Sequence, residues 1–241
     1  MIKILTEFSD IRGALPLVSV IQTDFRFFSN DADGVFCQET DGEISLVLSI
    51  RGATATICKI SDNIDIDELV SFLEFRQVSN ILSDFYFDGF QLEARSVLKA
   101  ISECSRCENV ISLTPESRLG DYQRVFELLS HNGEFQVWYP NFSKKVNNSC
   151  AYGTYLMENN VPVSCALAPF VVDKIGIVAG VFTNENCRKK GYATKCTETL
   201  LSDLKTNGIE EIYLWCEDKN LNLYENIGFS VCGKIYVKRE V

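Results

Sequence analysis

The sequence has one histidine, His131, and no apolar run long enough to span a bilayer. Structural zinc sites need four cysteine or histidine ligands, usually as two close pairs. The only C-x-x-C, Cys104 to Cys107, has neither a second pair nor histidines to complete it, so no metal is expected. The longest apolar runs, such as Ile175–Phe182, fall far short of the roughly 20 residues of a membrane-spanning helix. No N-terminal stretch joins a basic start, an apolar core and a small-residue cleavage site, so export is not expected either. The ten cysteines are then expected to be reduced, mostly small core residues of a cytoplasmic protein.

Basic charge is also scarce, with 23 Lys+Arg against 33 Asp+Glu. Nucleic-acid binders neutralise phosphates with a clustered basic surface, so neither nucleic acid nor a membrane is an expected partner. The acidity is uneven. Residues 1–115 carry 9 basic against 18 acidic side chains, and residues 116–241 carry 14 against 15. Such asymmetry points to two domains. A cationic amine would meet a favourable field, although an acidic, solvated surface that aids solubility is the simpler account.

Hydrophobic residues at 46% against 23% charged allow a real core and exclude a disordered chain. In the first half, Gly34–Glu39, Glu43–Ile50 and Thr54–Ile60 read as strands separated by Asp41-Gly42 and Arg51-Gly52. Asp65 is placed to cap a helix with Leu69, Val70, Phe72, Leu73 and Phe75 on one face, and Ile81–Tyr86 suits a strand. A helix is expected near Gln91–Ser102, a strand at Val110–Leu113, a boundary at Thr114-Pro115-Glu116, and a helix over Gly120–Ser130. The second half repeats the order β-β-β-α-β. Cys150–Glu158, Val161–Ala168 and Ile175–Thr183 read as strands, Gly191–Thr206 as a helix, and Ile212–Cys216 as a strand. A short helix over Leu221–Asn226, stopped by Gly228, and a strand over Ser230–Val237 follow. The expected fold class is α/β of the α+β kind, a duplicated unit with mixed, mostly antiparallel sheets flanked by helices. The expected domains are 1–115 and 116–241.

The chemistry concentrates between the strand ending at Thr183 and the helix beginning near Gly191. A glycine there lets a ligand approach backbone amides that the helix leaves unpaired. With Arg188, Lys189, Lys190 and Lys195 beside that positive helix end, the segment forms an anion cradle suited to a diphosphate. Helix-dipole logic favours acids at that position, so the basic run costs stability unless an anion compensates it. Too few glycines are present for a Walker loop or a dinucleotide fingerprint. The matching junction of the first half, Ile60–Asp65, has no glycine and no basic residue and carries two acids.

Arg188-Lys189-Lys190-Gly191-Tyr192-Ala193 resembles the acetyl-CoA signature Q/R-x-x-G-x-G/A of the GNAT family of N-acetyltransferases. Asn220 to Phe229 resembles that family's short tyrosine-bearing helix and following Gly-Phe, at a spacing that fits one intervening helix and strand. Coverage is about 120–241. Phe135–Tyr139 is similar to a bacterial subgroup whose N-terminal half is a degraded copy without cofactor.

The resemblance implies acetyl-CoA as acyl donor. Backbone amides from Arg188 to Ala193, those of Lys189, Lys190, Gly191 and Tyr192 among them, would hold the pyrophosphate, with a hydroxyl bond from Thr194 and a charge from Arg188 or Lys190. Val181, Phe182 and Thr183 would pair with the pantetheine arm like an added strand. Splaying of this strand from Ile212–Cys216 would open a slot for the thioester, with a strand amide stabilising the oxyanion. Tyr192 and Asn220 are further cofactor candidates, Asn220 also as a helix cap. Tyr224 matches the tyrosine that protonates the departing thiolate, and a phenol of pKa about 10 suits that task. Glu217 is the first candidate base, before Glu185 and Glu158, although the family often has asparagine at its position. Cys187 and Cys216 are read as packing, since direct transfer needs no thiol nucleophile. The expected function is acetyl transfer to a primary amine by direct attack in a ternary complex, by a monomer or homodimer. The alternative is a non-catalytic CoA or acyl-CoA sensor or docking module.

Overall fold

The computed structural model describes residues 1–8, 16–28, 33–129 and 134–239; His131 and Ser130 lie outside the described residues. Two compact units form: residues 1–97 with 215–218 and 233–241, and residues 98–214 with 219–232.

The first unit begins with β1 (Ile2–Ile4) and α1 (Leu17–Phe28), followed by β2 (Val35–Thr40), β3 (Glu43–Arg51) and β4 (Thr54–Lys59). Then come α2 (Ile66–Phe75) and β5 (Asn80–Ser83). β2, β3 and β4 pair antiparallel, and β4 pairs parallel with β5 through a crossover that contains α2. β1 extends the β2 edge. Alternating side chains of β3 and β4 meet Leu69 and Leu73 of α2 and Ile81 of β5 in one core. Asp65 caps α2 as expected, its carboxylate accepting the Glu68 N–H at 2.9 Å. Phe75, expected on the apolar face, is 82% exposed at the helix end.

The expected helix near 91–102 is instead β6 (Glu93–Ala100). The residues are helix formers by local propensity, but adjacent Val97 and Leu98 are both buried. In a strand these two side chains stand on opposite faces, and such tertiary demands override propensity.

The second unit holds β7 (Val110–Leu113), α3 (Leu119–Leu129), α4 (Phe135–Asn147), β8 (Tyr152–Glu158), β9 (Val161–Val172) and β10 (Ile175–Thr183). It continues through α5 (Tyr192–Thr206), β11 (Glu211–Cys216) and α6 (Leu221–Ile227) into β12 (Phe229–Lys238). The last residues of β11 and the C-terminal part of β12 belong to the first unit, where Tyr236–Lys238 pair with β5. β7 to β10 form an antiparallel meander, and β10 pairs parallel with β11 through a crossover that contains α5. Each unit therefore repeats not only the element order β-β-β-α-β but also its pairing, three antiparallel strands and then a parallel one. The fold is a mixed α+β tandem.

Two contacts fix α3 and the end of α6. The buried Tyr155 hydroxyl of β8 donates to Asp121 of α3 at 2.7 Å. Burial and that carboxylate push the phenol up to about 12. Gly228 closes α6 at φ 105°, and its carbonyl accepts from the amides of Ile101 and Ser102. Among the described residues no helix is long and apolar enough to cross a membrane.

Candidate active site

The site starts from an irregular strand. β10 pairs with β11 over only three residues, Ile175–Ile177, and on its other side its register against β9 shifts between Ile177 and Phe182. Gly180 sits in this bulge at φ 62°, and a Cβ there would come within 3.2 Å of Leu129 Cδ2. β10 beyond Ile177 is thus a splayed strand with one side committed to β9. Buried Ser164 fixes its end, donating to the Phe182 carbonyl and sharing a 2.8 Å hydrogen bond with the Thr183 hydroxyl.

After Thr183 the chain makes one 3-10 turn (Glu185–Cys187) and reaches α5 through Lys189 at φ 62° and Gly191 at φ 77°. Gly191 is the N-cap, so no side chain caps the helix. The amides of Lys189 through Thr194 have no hydrogen-bond partner among the described residues. Six consecutive open donors at the positive end of a fifteen-residue helix form an anion cradle. The matching end of α2 is the opposite case. Its Asp65 side chain takes the Glu68 amide, and Asp67 and Glu68 occupy its first turn.

A groove of about 580 Å³ runs past this cradle. Val181, Phe182 and Thr183 line one part, Arg188, Lys189, Gly191, Tyr192, Ala193 and Thr194 another, and Asn220 and Tyr224 a third. The structure therefore brings together all the cofactor-site residues singled out by sequence except Lys190, and adds Tyr224. Tyr224 packs edge-on against Phe229, with ring centroids 6.0 Å apart. Asn220 is the N-cap of α6 by position but makes no side-chain cap bond. Cys187, Lys219 and Leu223 also line the groove. Leu223 lies within the Asn220–Phe229 segment, whereas Cys187 and Lys219 each adjoin a residue the motifs identify.

Two expected residues stand elsewhere. Lys190 turns to Glu158, with its ammonium 3.3 Å from the carboxylate. Glu217 does not line the groove; it lies 3.9 Å from Arg95. Among the described residues no histidine, aspartate or glutamate lines the groove. Arg188 spends part of its charge on Glu185 at 3.5 Å and donates from Nε to the Thr183 carbonyl. Lys189 is the member of the basic run without an ion-pair partner among the described residues.

The thiols supply no activated nucleophile from the core. Cys165 and Cys196 are buried and pushed up to about 12 by desolvation. Cys187, expected as packing, is half-buried on the groove wall, and its thiol donates to Glu158 at 3.7 Å. Cys104 and Cys107 bond separately, to the Ile227 carbonyl and the Glu198 carboxylate. Among the described residues no cluster of three or more cysteine, histidine or acidic side chains could hold a metal.

A bulged strand, an uncapped glycine-led helix and a tyrosine on a following short helix thus meet on one groove. The sequence profile of the acetyltransferase (GNAT) family matches residues 118–229. Residues 118–229 thus carry an acetyltransferase domain of the GNAT family.

Solved structures resemble the chain over nearly its whole length. A tandem GNAT protein from the clavulanic acid biosynthesis pathway matches at TM-score 0.63 and 8% identity, over 95% of this chain and 90% of that one. A GCN5-related N-acetyltransferase from Sphaerobacter thermophilus gives 0.61 and 12%, over 95% and 94%. One from Kribbella flavida gives 0.60 and 12%, over 95% and 97%. At these identities the likeness is one of fold. No curated protein matches the chain.

Proposed function

We propose that the C-terminal half transfers an acetyl group from acetyl-CoA to a primary amine by direct attack in a ternary complex. The observation that carries this is the single groove that joins residues 181–194 to Asn220 and Tyr224, two segments distant in sequence. The site suits the donor. Open amides and the cation of Lys189 face a place for a diphosphate, and the splayed β10 offers an edge to an extended amide-bearing arm. Acetyl-CoA supplies an activated thioester.

The chain's own residues then have limited tasks. Amides of the bulged β10 stabilise the developing oxyanion. As the C–N bond forms and the C–S bond breaks, the Tyr224 hydroxyl gives its proton to the leaving thiolate, and the proton lost by the new amide nitrogen passes through water to restore the phenol. The acceptor ammonium sheds its proton to water before attack, since among the described residues no carboxylate lines the groove.

Purified protein, acetyl-CoA and a panel of amines, followed by thiol release, test the proposal. At least one amine is expected to release CoA, with kcat falling about 100-fold in Tyr224→Phe. Silence with every amine, in protein that CoA stabilises against heat, refutes the enzyme. The missing carboxylate is also what favours a second reading, a CoA-binding sensor. A sensor would bind CoA equally well as Tyr224→Phe and turn over nothing.

A further inference from the structure

The loop that presents the open amides is poorly held by its own backbone. Lys189 and Gly191 both have positive φ, and within the turn only the Cys187 and Arg188 amides are bonded, to Asn184 and Glu185. Something else must fix residues 189–192, and one side chain from another element reaches them. Glu158 ends β8, which is anchored by buried Thr154, Tyr155 and Leu156 and paired with β9 through Glu158↔Val161. The intervening Asn159 and Asn160 both take left-handed conformations, so this hairpin end is tightly defined. From there the carboxylate accepts the Tyr192 hydroxyl at 2.7 Å and the Lys190 ammonium at 3.3 and 3.4 Å. It also accepts the Cys187 thiol at 3.7 Å. Its three partners flank Gly191 on both sides.

We propose that Glu158 is a positioning residue for acetyl-CoA binding: it ties the two flanks of Gly191 to the end of β8 and so aims the open amides at the diphosphate. It acts through Tyr192, Lys190 and Cys187 and touches no ligand. The same bonds divide the labour of the basic run. Lys190, folded back over the Tyr192 ring at 5.8 Å, is a structural cation, and Lys189 is left to meet the anion. The inference rests on the acetyl-CoA reading of the groove.

The test compares Glu158→Ala, Glu158→Gln, Tyr192→Phe and the Glu158→Ala/Tyr192→Phe double variant. The readouts are acetyl-CoA kinetics, CoA titration calorimetry and melting without ligand. Glu158→Ala is expected to raise KM for acetyl-CoA and Kd for CoA about 3–10-fold, with kcat and melting near wild type. Glu158→Gln keeps an acceptor for Tyr192 and loses the ion pair, so it should recover part of that loss. The double variant should bind no worse than Glu158→Ala alone, because both changes remove one shared bond. Unchanged KM and Kd in Glu158→Ala, additive losses in the double variant, or a fall in kcat at constant KM each overturn the proposal while CoA binding by wild type stands. Wild-type protein that neither binds CoA nor turns over removes the reading underneath.

Discussion

Replacing Gly191 with alanine isolates what the backbone of the cradle contributes. A Cβ at this position would meet nothing within 4 Å, so the substitution creates no clash inside the protein. Its whole cost is conformational. At φ 77° an alanine carries a penalty of about 1–2 kcal/mol relative to its preferred regions. For a chain of this size that corresponds to a melting shift of roughly 2–8 °C. If the loop relaxes to escape the penalty, the amides of 189–194 lose their common aim. Each hydrogen bond from an amide to a charged oxygen contributes about 1.5–3 kcal/mol, so losing one weakens binding on the order of 10–100-fold. Thermal melts give the first quantity, and calorimetric titration with CoA gives the second. Gly191→Asn is the control, since asparagine tolerates left-handed backbone and should recover part of the stability. Gly191→Ala that melts like wild type and binds CoA with unchanged affinity would refute both the strained geometry and the backbone grip.

Gly228→Ala should be worse for folding, because φ 105° is combined with a Cβ only 2.5 Å from Ser102 Cβ. Overpacking and strain together predict a loss of about 2–4 kcal/mol in denaturant unfolding, and a loss below about 1 kcal/mol would contradict the described contact. Tyr155 bears on pH. Its folded pKa is raised to about 12, so the protonated phenol contributes stability that is complete below about 10 and lost as pH rises through about 12. Ultraviolet titration should show a tyrosinate forming near 12 that disappears in Tyr155→Phe; a titration unchanged by that substitution would show that the buried contact with Asp121 does not hold in solution.

Most of the fold was legible because its signals are local. β7 and β10 occupy the expected ranges, Asp65 caps α2, and Gly191 and Gly228 mark the helix ends where expected. The failures are non-local. α1 escaped notice because Val18, Val20, Ile21 and Thr23 are β-branched and locally favour strand. Its helical state is supported by buried Leu17 and Ile21 and by the Ser49 hydroxyl bonding Asp24 at 2.8 Å. α4 was hidden by Pro140 inside it. In the site, residue types and spacing indicated which side chains gather on the groove, because they belong to two continuous segments. They could not indicate that Lys190 faces away, since its partner Glu158 lies 32 residues earlier in sequence. The placement of Glu217 beside Arg95 rather than on the groove is likewise a pairing between distant parts of the chain.

The two strand-to-helix junctions explain why one topology can serve two ends. At α2 the chain satisfies itself: the Asp65 carboxylate accepts a helix amide, its own amide donates to Gln38, and two acids complement the helix dipole. A cap of this kind is typically worth about 1 kcal/mol, and an incoming phosphate would have to displace an anion already in place. At α5 that stabilisation is forgone. Gly191 offers no cap, Lys189 occupies a left-handed backbone, and cations crowd a positive helix end. Each feature works against the isolated fold, and a bound dianion would offset two of them, the open amides and the crowded cations. Ligand at 100 times its Kd would return about 2.7 kcal/mol, more than a cap supplies. On the proposed acetyl-CoA reading the second junction would be completed by a ligand, whereas the first is capped by its own Asp65.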